Sequence, residues 1–271
     1  MTTAALLSLV ALSATACSGE ASRLGFPDPA TEQAHRVLTL WRGSWIAAFA
    51  VGAVVWGLII WAVLFHRKRS NDLPPQVRYN LPIEMLYTAV PFIIIAVLFY
   101  FTARDENYIE KNNDSKAAST ADVNIYVTAF QWSWKFDYKA QGYNPNNDPN
   151  KGVNGTDPRT SVATVVGTPS VPDGTGTKPV LVLPVNKKVH FLLHSNDVIH
   201  SFWVPAFLYK KDVMPGYLNQ FELTPTKIGT YEGRCAELCG VDHSRMLFQV
   251  KIVSDADYQT FLQQHQSGGT Q

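Results

Sequence analysis

Two long apolar runs stand in the first half of the chain. Residues 45–65 provide 21 positions without a charged side chain, and residues 85–103 provide 19. At about 1.5 Å per residue, the first run would form a helix of roughly 31 Å, long enough to cross the hydrocarbon core of a membrane. Pro91 lies in the second run, and membrane helices tolerate proline where neighbouring groups satisfy the freed backbone carbonyl. The pattern predicts a transmembrane helical hairpin over residues 45–103.

Basic residues predict the orientation of this hairpin. The connection between the two runs carries Arg67, Lys68, Arg69 and Arg78. Because cytoplasmic loops are enriched in Lys and Arg, we expect this connection in the cytoplasm and both chain ends outside. The sequence therefore predicts a multi-pass protein of the plasma membrane whose C-terminal domain lies on the outer face.

From residue 122 onward, short segments of alternating apolar and polar residues replace the long runs. Residues 123–130 alternate in this way, and strand-like segments recur at 180–184, 188–193 and 247–253. Period-two alternation is typical of half-buried β-strands. The second half of the chain is therefore predicted to form an all-β domain.

Four aromatic residues follow the first of these segments at every second position: Trp132, Trp134, Phe136 and Tyr138. On a strand they would share one face of the sheet. A packed face of a β-sandwich explains most of them without any further role.

The patterns divide the chain into six parts. These are a leader at 1–17, an external N-terminal segment at 18–44, the hairpin at 45–103, a linker at 104–121, the β-domain at 122–254, and a C-terminal helix and tail at 255–271. Inside the β-domain, residues 140–178 are rich in Asn, Gly, Pro, Thr and Ser, which predicts a long loop. Contact with a partner protein is one hypothesis for this loop, and an insertion without a role is the alternative.

The predicted leader resembles an export signal. Residues 3–16 are apolar or small, and the run is too short to span a membrane as a helix. Cys17 follows directly, as in the lipobox of bacterial lipoproteins, where the cysteine carries the lipid. A free cysteine in an uncleaved leader is the alternative, since no basic residue precedes the run.

Soft and borderline metal ligands cluster near the end of the chain. Cys235, Cys239, His243 and Met246 follow a C-x3-C-x3-H-x2-M spacing, and His200 lies upstream. Thiolate, imidazole and thioether together suit copper, and a mononuclear blue-copper site uses one thiolate where this stretch offers two. Two thiolates can bridge two copper ions, which leaves one imidazole for each ion.

The donor set leaves two other interpretations open. Met246 and a backbone carbonyl, most simply that of Glu237, can complete the shells of two copper ions. Alternatively, Cys235 and Cys239 form a disulfide, or they bind zinc together with two histidines. The zinc interpretation gives Met246 no role.

With these residues the chain resembles subunit II of the haem-copper cytochrome c oxidases. The match consists of a V-x-H motif ending at His200 and the motif that runs from Cys235 to Met246. It extends over about residues 40–255, with residues 140–178 as the large departure. The resemblance implies a two-helix transmembrane hairpin followed by an all-β cupredoxin-like Greek-key domain.

The resemblance also implies a binuclear copper centre, called CuA in that family. The implied ligands are His200, Cys235, Glu237 through its carbonyl, Cys239, His243 and Met246. Trp132 is implied as the residue through which electrons arrive from the donor. The carboxylate of Glu237 is implied as a ligand of magnesium or manganese at the interface with the catalytic subunit.

The function implied is that of the electron-transfer subunit of a respiratory cytochrome c oxidase. Electrons would pass from cytochrome c through the copper pair to haem in a catalytic subunit, which reduces oxygen to water and pumps protons. A membrane-anchored copper chaperone is the alternative, although it would need neither Trp132 nor two spans that dock on another subunit.

The formal net charge of +1 gives no indication of nucleic-acid binding. Candidates for a local acidic patch near the copper motif are Asp137, Asp197, Glu222 and Asp242. The alternative for each is an ordinary solvated acid, the interpretation that we favour for at least half of them.

Overall fold

The computed structural model describes residues 19–69, 73, 76–110, 120–140, 143, 161–169 and 175–265. Cys17, and with it the predicted lipobox, lies outside these residues, as does much of the predicted insertion. The chain divides into two units, Thr39–Asn107 and the remainder, which combines the N-terminal segment up to Leu38 with the chain from Tyr108 onward.

Two long helices contain the predicted membrane spans. Helix α1 covers Glu32–Phe65 and helix α2 covers Leu81–Glu110, and both are long and apolar enough to cross a membrane. Each helix is longer than the uncharged run inside it, because polar residues continue the helix beyond the part that suits a lipid environment. The predicted N-terminal segment at 18–44 and the predicted linker at 104–121 therefore contain helical residues, at 32–44 and 104–110.

The second half of the chain is a β-sandwich of two five-stranded sheets, which confirms the predicted fold class. The first sheet has the order β3-β2-β1-β5-β8 and the second β4-β10-β9-β6-β7. The strands are β1 Val123–Phe130, β2 Ser133–Lys139, β3 Ser161–Val166, β4 Val180–Pro184, β5 Val189–Ser195, β6 His200–Val204, β7 Tyr209–Val213, β8 Asn219–Leu223, β9 Gly229–Cys235 and β10 Leu247–Val253. Helix α3, Asp255–Gln264, follows the last strand, and Ser254 caps its N-terminus by accepting a hydrogen bond from Asp257 N–H.

An aromatic core joins the two sheets. Trp134, Phe136 and Tyr138 on β2 are at most 1% exposed, which confirms that they share a packed face. Phe248 on the opposite sheet lies edge-on to both Trp134 and Phe136, with ring centroids 5.2 and 5.6 Å apart. Trp132 differs from the prediction, because it lies in the turn between β1 and β2 and is only partly buried.

The predicted long loop at 140–178 contains a strand. Ser161–Val166 forms β3 and pairs antiparallel with β2 at the edge of the first sheet. The interpretation of this whole stretch as a loop without secondary structure is therefore wrong over β3. Its valines were visible in the sequence, but the surrounding Gly, Asn and Pro residues concealed an edge strand of only six residues.

The chain just before α1 is hydrogen bonded to the β-sandwich. Ala30 N–H donates to Ala206 O at 2.9 Å, and Ala30 O accepts from Thr226 N–H at 2.8 Å. Glu32 N–H donates to Thr224 O at 3.0 Å. This segment, predicted to be separate, is thus part of the same unit as the β-sandwich.

Thr31 immediately precedes α1 and supplies a test of this attachment. The side chain is fully buried, and its Oγ1 accepts a hydrogen bond from Ala34 N–H at 3.1 Å. We expect Thr31→Val, which removes the acceptor at nearly constant volume, to lower the free energy of unfolding by about 0.5–2 kcal/mol. Thr31→Ser retains the acceptor and is the matched control. Equal melting temperatures for the two variants in a thermal unfolding experiment would contradict the capping role.

Two buried histidines on β5 predict a pH dependence of stability. Burial lowers the pKa of His190 and that of His194 below the ordinary value. At these two positions the unfolded chain therefore binds protons more readily, so their contribution to the free energy of unfolding decreases as the pH falls below about 6.5. His190→Gln should make the fall in melting temperature between about pH 7.5 and 5.5 less steep. His265→Gln, which changes an exposed histidine, should leave the slope unchanged.

Candidate metal centre

Adjacent strands of the second sheet bring the predicted ligands together. β6 begins at His200 and β9 ends at Cys235, and the two strands pair antiparallel with Phe202 opposite Cys235. After β9 the chain makes a compact loop that includes a short 3-10 helix at His243–Arg245. Cys235 N–H donates to Met246 O at 3.0 Å, which closes the loop before β10 begins.

Both cysteine sulfurs lie at the centre of the donor cluster. The two Sγ atoms are 3.8 Å apart, far beyond the bonding distance of about 2.05 Å in a disulfide, and both thiols are free. The disulfide alternative is therefore not what this structure shows. Cys235 and Cys239 are 5% and 3% exposed, so the cluster is shielded from solvent.

The remaining donors divide between the two sulfurs. His200 Nδ1 lies 3.9 Å from Cys235 Sγ, and the carbonyl oxygen of Glu237 lies 3.2 Å from the same sulfur. His243 Nδ1 lies 3.6 Å from Cys239 Sγ, and Met246 Sδ lies 3.8 Å from it. The cluster therefore brings together all six predicted donor groups, with one imidazole near each sulfur.

The chemistry of this donor set fits copper. The potential ligand atoms of His200, Cys235 and Cys239 all lie within 4.8 Å of one another. Met246 is fully buried with its thioether in the cluster, whereas a tetrahedral zinc site made by two thiolates and two imidazoles would leave this thioether unused. Buried thioether and thiolate sulfur are the soft ligands that favour copper.

Asp197 orients the first histidine, a role that the sequence pattern did not lead us to predict. Its Oδ1 lies 2.7 Å from His200 Nε2, which leaves Nδ1 of the ring on the sulfur side. Burial raises the pKa of Asp197, but hydrogen bonds from His200 and from the backbone N–H of Gln131 outweigh it, so the net pKa is lowered. A carboxylate behind a metal-binding histidine fixes the ring orientation. The D-x-x-H spacing was the available signal.

Neither the acidic patch nor its alternative, ordinary solvated acids, describes all four candidate residues. Asp137 is fully buried and its Oδ1 accepts a hydrogen bond from Thr164, while Glu222 is 7% exposed on β8. Asp242 is paired with Arg245 within the loop that connects Cys235 to Met246, here called the copper loop. Two of the four candidate acids are therefore not surface groups. Sequence alone could not show this, because they occupy strand positions that look solvent-facing by alternation.

The two thiols differ in acidity. Burial would raise the pKa of Cys235, but hydrogen bonds with His200 and with backbone groups of Glu237 and Ser201 lower it to about 7. Burial and the neighbouring charge of Cys235 raise the pKa of Cys239 to about 12. Because a metal ion binds the thiolate form, metal binding should release protons.

The turn that carries Trp132 covers the copper loop. Trp132 Nε1–H donates to the carbonyl oxygen of Cys239 at 3.1 Å. Gly240, with φ of +123°, lies beneath the indole, and a Cβ on it would be 3.1 Å from the ring. Only glycine combines this backbone conformation with so close an approach.

Gly240→Ala tests this contact. The added methyl group must displace the indole and strain the loop, so we expect a free energy of unfolding lower by about 1–3 kcal/mol. Gly216→Ala is the matched control, since Gly216 also has a positive φ, +72°, but a Cβ added there would meet nothing within 4 Å. The contact would be refuted if both variants lowered the melting temperature equally in a thermal unfolding experiment.

Fold and site together define a class of protein. A membrane-type pair of apolar helices precedes a β-sandwich that holds two free thiols, two imidazoles and a buried thioether in one cluster. That combination is typical of a membrane-anchored copper protein of electron transfer, because the donors are soft, shielded and already assembled.

Comparison with known proteins supports this class and narrows it. A family profile described as "Cytochrome C oxidase subunit II, transmembrane domain" matches residues 19–103, and one described as "Cytochrome C oxidase subunit II, periplasmic domain" matches residues 172–253. A probable cytochrome c oxidase subunit 2 from Streptomyces avermitilis is 49% identical, with 94% of this chain and 83% of that protein covered. Cytochrome c oxidase subunit 2 of Mycobacterium tuberculosis is 39% identical, with 98% and 82% covered.

Among solved structures, the periplasmic domain of subunit II of cytochrome oxidase (CoxB) of Bradyrhizobium japonicum is 29% identical. It covers 55% of this chain and 96% of its own, with a TM-score of 0.42. The sequence matches carry the assignment: the chain belongs to the cytochrome c oxidase subunit II family. It is the electron-transfer subunit of a respiratory oxidase, a membrane protein with an extracytoplasmic C-terminal domain.

Proposed function

We propose that the cluster holds two copper ions. The proposed ligands are His200, Cys235, the carbonyl of Glu237, Cys239, His243 and Met246. A mixed-valence copper pair accepts and releases one electron with little change in geometry. The observation that carries the proposal is the position of the two sulfurs, 3.8 Å apart, with one imidazole and one further donor close to each.

The chain contributes rigidity and shielding to this chemistry. Strand pairing between β6 and β9 fixes His200 relative to Cys235, and the Asp197 carboxylate holds the imidazole in place. Trp134 is fully buried with its ring centroid 6.3 Å from that of His200, so the floor of the site is aromatic and dry. A preassembled, water-excluding ligand set needs little rearrangement when the charge of the site changes.

We propose Trp132 as the residue through which electrons arrive. Trp132 is partly exposed, and its indole N–H donates a hydrogen bond to the carbonyl oxygen of Cys239, a proposed ligand. A cytochrome c donor would bind over this ring. The direct contact between this partly exposed aromatic residue and the copper loop supports this role.

The proposed partners follow from the family. Electrons would leave for haem in a catalytic haem-copper subunit, where oxygen is reduced to water and protons are pumped. Glu237 has an exposed side chain, which leaves its carboxylate available for a magnesium or manganese ion at the interface with that subunit. We place the complex in the plasma membrane, in contact with membrane lipid.

Purification tests this assignment against the copper-chaperone alternative. The full chain carrying an affinity tag should bring down haem-bearing subunits in fixed ratio, with two copper ions per chain beyond those bound by the catalytic subunit. A preparation that contains copper but no haem partner would favour the chaperone. The purified complex should oxidise a cytochrome c and consume oxygen.

A further inference from the structure

The turn that carries Trp132 comes from the opposite sheet to the proposed copper ligands. Trp132 lies between β1 and β2 of the first sheet, whereas His200 and Cys235 belong to strands of the second sheet. The distance between the indole of Trp132 and the copper loop therefore depends on contacts between the two sheets at this end of the sandwich. Gln131, the residue before Trp132, makes two of them.

We propose that Gln131 is a positioning residue that holds Trp132 against the copper loop. This inference rests on the proposed role of Trp132 in electron uptake. Gln131 Nε2 donates to the carbonyl oxygen of Cys239 at 2.8 Å, and the same oxygen accepts the indole N–H of Trp132 at 3.1 Å. A carbonyl oxygen has two lone pairs, and the two neighbouring side chains occupy both.

The backbone of Gln131 fixes the turn on the other side of the site. Its N–H donates to Asp197 Oδ2 at 2.6 Å, and Asp197 Oδ1 is the atom that lies against His200. The backbone N–H of Gln131 therefore links the turn to Asp197, which contacts His200. Its side-chain amide links the turn to the carbonyl of Cys239. With both contacts made, the turn cannot move away from one side of the cluster without breaking a hydrogen bond.

The side-chain amide of Gln131 packs closely against the backbone of Gly240. A Cβ on Gly240 would lie 3.2 Å from Gln131 Nε2, so the amide rests directly on the glycine backbone. Gln131 is an exposed residue outside the aromatic core. A substitution of its side chain should therefore change the position of Trp132 without unfolding the domain.

Substitution of Gln131 in the assembled oxidase tests the proposal. Gln131→Met keeps the length of the side chain and removes both donors, whereas Gln131→Glu keeps the length and places an acceptor against the Cys239 carbonyl. Both retain the backbone contact with Asp197. Gln259→Met, on the exposed side of α3, is the matched control. Trp132→Phe, measured in parallel, tests the underlying role of the indole.

Three readouts are needed. The first is the rate of electron transfer from a photoreduced cytochrome c at saturating concentration, so that weaker docking does not contribute. The second is the copper EPR spectrum, and the third is the ultraviolet resonance Raman band that reports hydrogen bonding of the indole N–H. Loss of one hydrogen bond should lower the fraction of molecules in which the Trp132 indole contacts the copper loop, and hence the rate of electron transfer, by about 2- to 10-fold. The Raman band should shift while the copper spectrum stays unchanged.

The outcomes separate the inference from the proposed function. If Trp132→Phe slows uptake but both Gln131 variants transfer electrons at the wild-type rate, the positioning role is overturned and the role of Trp132 stands. If a Gln131 variant loses the copper signal, the residue supports the metal site itself and the inference is wrong. If Trp132→Phe has no effect, electrons arrive elsewhere, and both the proposed role of Trp132 and this inference fail.

Discussion

Cys239→Ser is expected to abolish cytochrome c-driven oxygen consumption by the assembled oxidase. Cys239 Sγ lies within 3.8 Å of the Cys235 sulfur, the His243 nitrogen and the Met246 sulfur, which places it at the meeting point of three other donors. A serine hydroxyl is a hard, weakly acidic donor that would not replace a thiolate as a copper ligand. Mutation of a residue that only supports a metal ligand lowers metal affinity or activity by about 10- to 100-fold. We expect removal of a ligand itself to lower activity by more than this.

The matched control is Ser244→Ala, an exposed position on the same loop. It should retain copper and activity. Haem content of the Cys239→Ser complex should remain normal, because the haem belongs to another subunit. A Cys239→Ser enzyme that turned over at more than half of the wild-type rate would contradict the assignment of this sulfur.

Trp132→Phe should produce the second-largest effect. Phenylalanine has no N–H to donate to Cys239 O, and its smaller ring leaves a gap above Gly240, where the indole now lies in contact. Misplacement of a reacting group by about 1 Å can cost roughly 100-fold in rate, and we expect a fall of about that size in electron uptake. Electron transfer from copper to haem should be unaffected, since the ligands do not change.

Trp203→Phe controls for the loss of a partly exposed indole elsewhere in the domain. Trp203 lies on β6, where the guanidinium of Arg234 lies 5.6 Å from its ring centroid. Flash photolysis of a bound, photoreducible cytochrome c would measure both variants. Equal rates for Trp132→Phe and Trp203→Phe would show that electrons do not arrive through Trp132.

The sequence contained most of what defines the metal centre. Cys235, Cys239, His243 and Met246 lie within one loop, so their spacing alone indicates a shared site, and the structure places all four donors together. His200 is distant in sequence, and its position follows from pairing between β6 and β9, which no local pattern reveals.

The contacts that hold the site were not predictable in the same way. Asp197 was interpreted as a candidate surface acid because carboxylates are usually solvated. Its D-x-x-H spacing from His200 was a weak signal, and the fold shows the contact itself. Gln131 is an uncharged residue in a turn, and its role depends on a carbonyl oxygen more than a hundred residues away. Backbone acceptors leave no trace in a sequence, so contacts of this kind become visible only in three dimensions.

The extent of the helices was missed for a different reason. An uncharged run measures the part of a helix that lies in lipid, whereas α1 begins at Glu32 among polar residues. The first of those residues, up to Leu38, belong to the unit that contains the β-sandwich, and Ala30 is hydrogen bonded to both Ala206 and Thr226. A fragment that starts at the β-domain would lack these contacts, which makes the full chain the better material for spectroscopy.

The measurement that tests the binuclear copper site most directly is the EPR spectrum of the full chain, purified without its haem-bearing partners and loaded with copper. We predict a hyperfine pattern from one electron shared by two equivalent copper nuclei, with two copper ions per chain and loss of the pattern in Cys239→Ser. The hyperfine pattern of a single copper nucleus, or a silent protein that has taken up zinc in its place, would contradict the binuclear site.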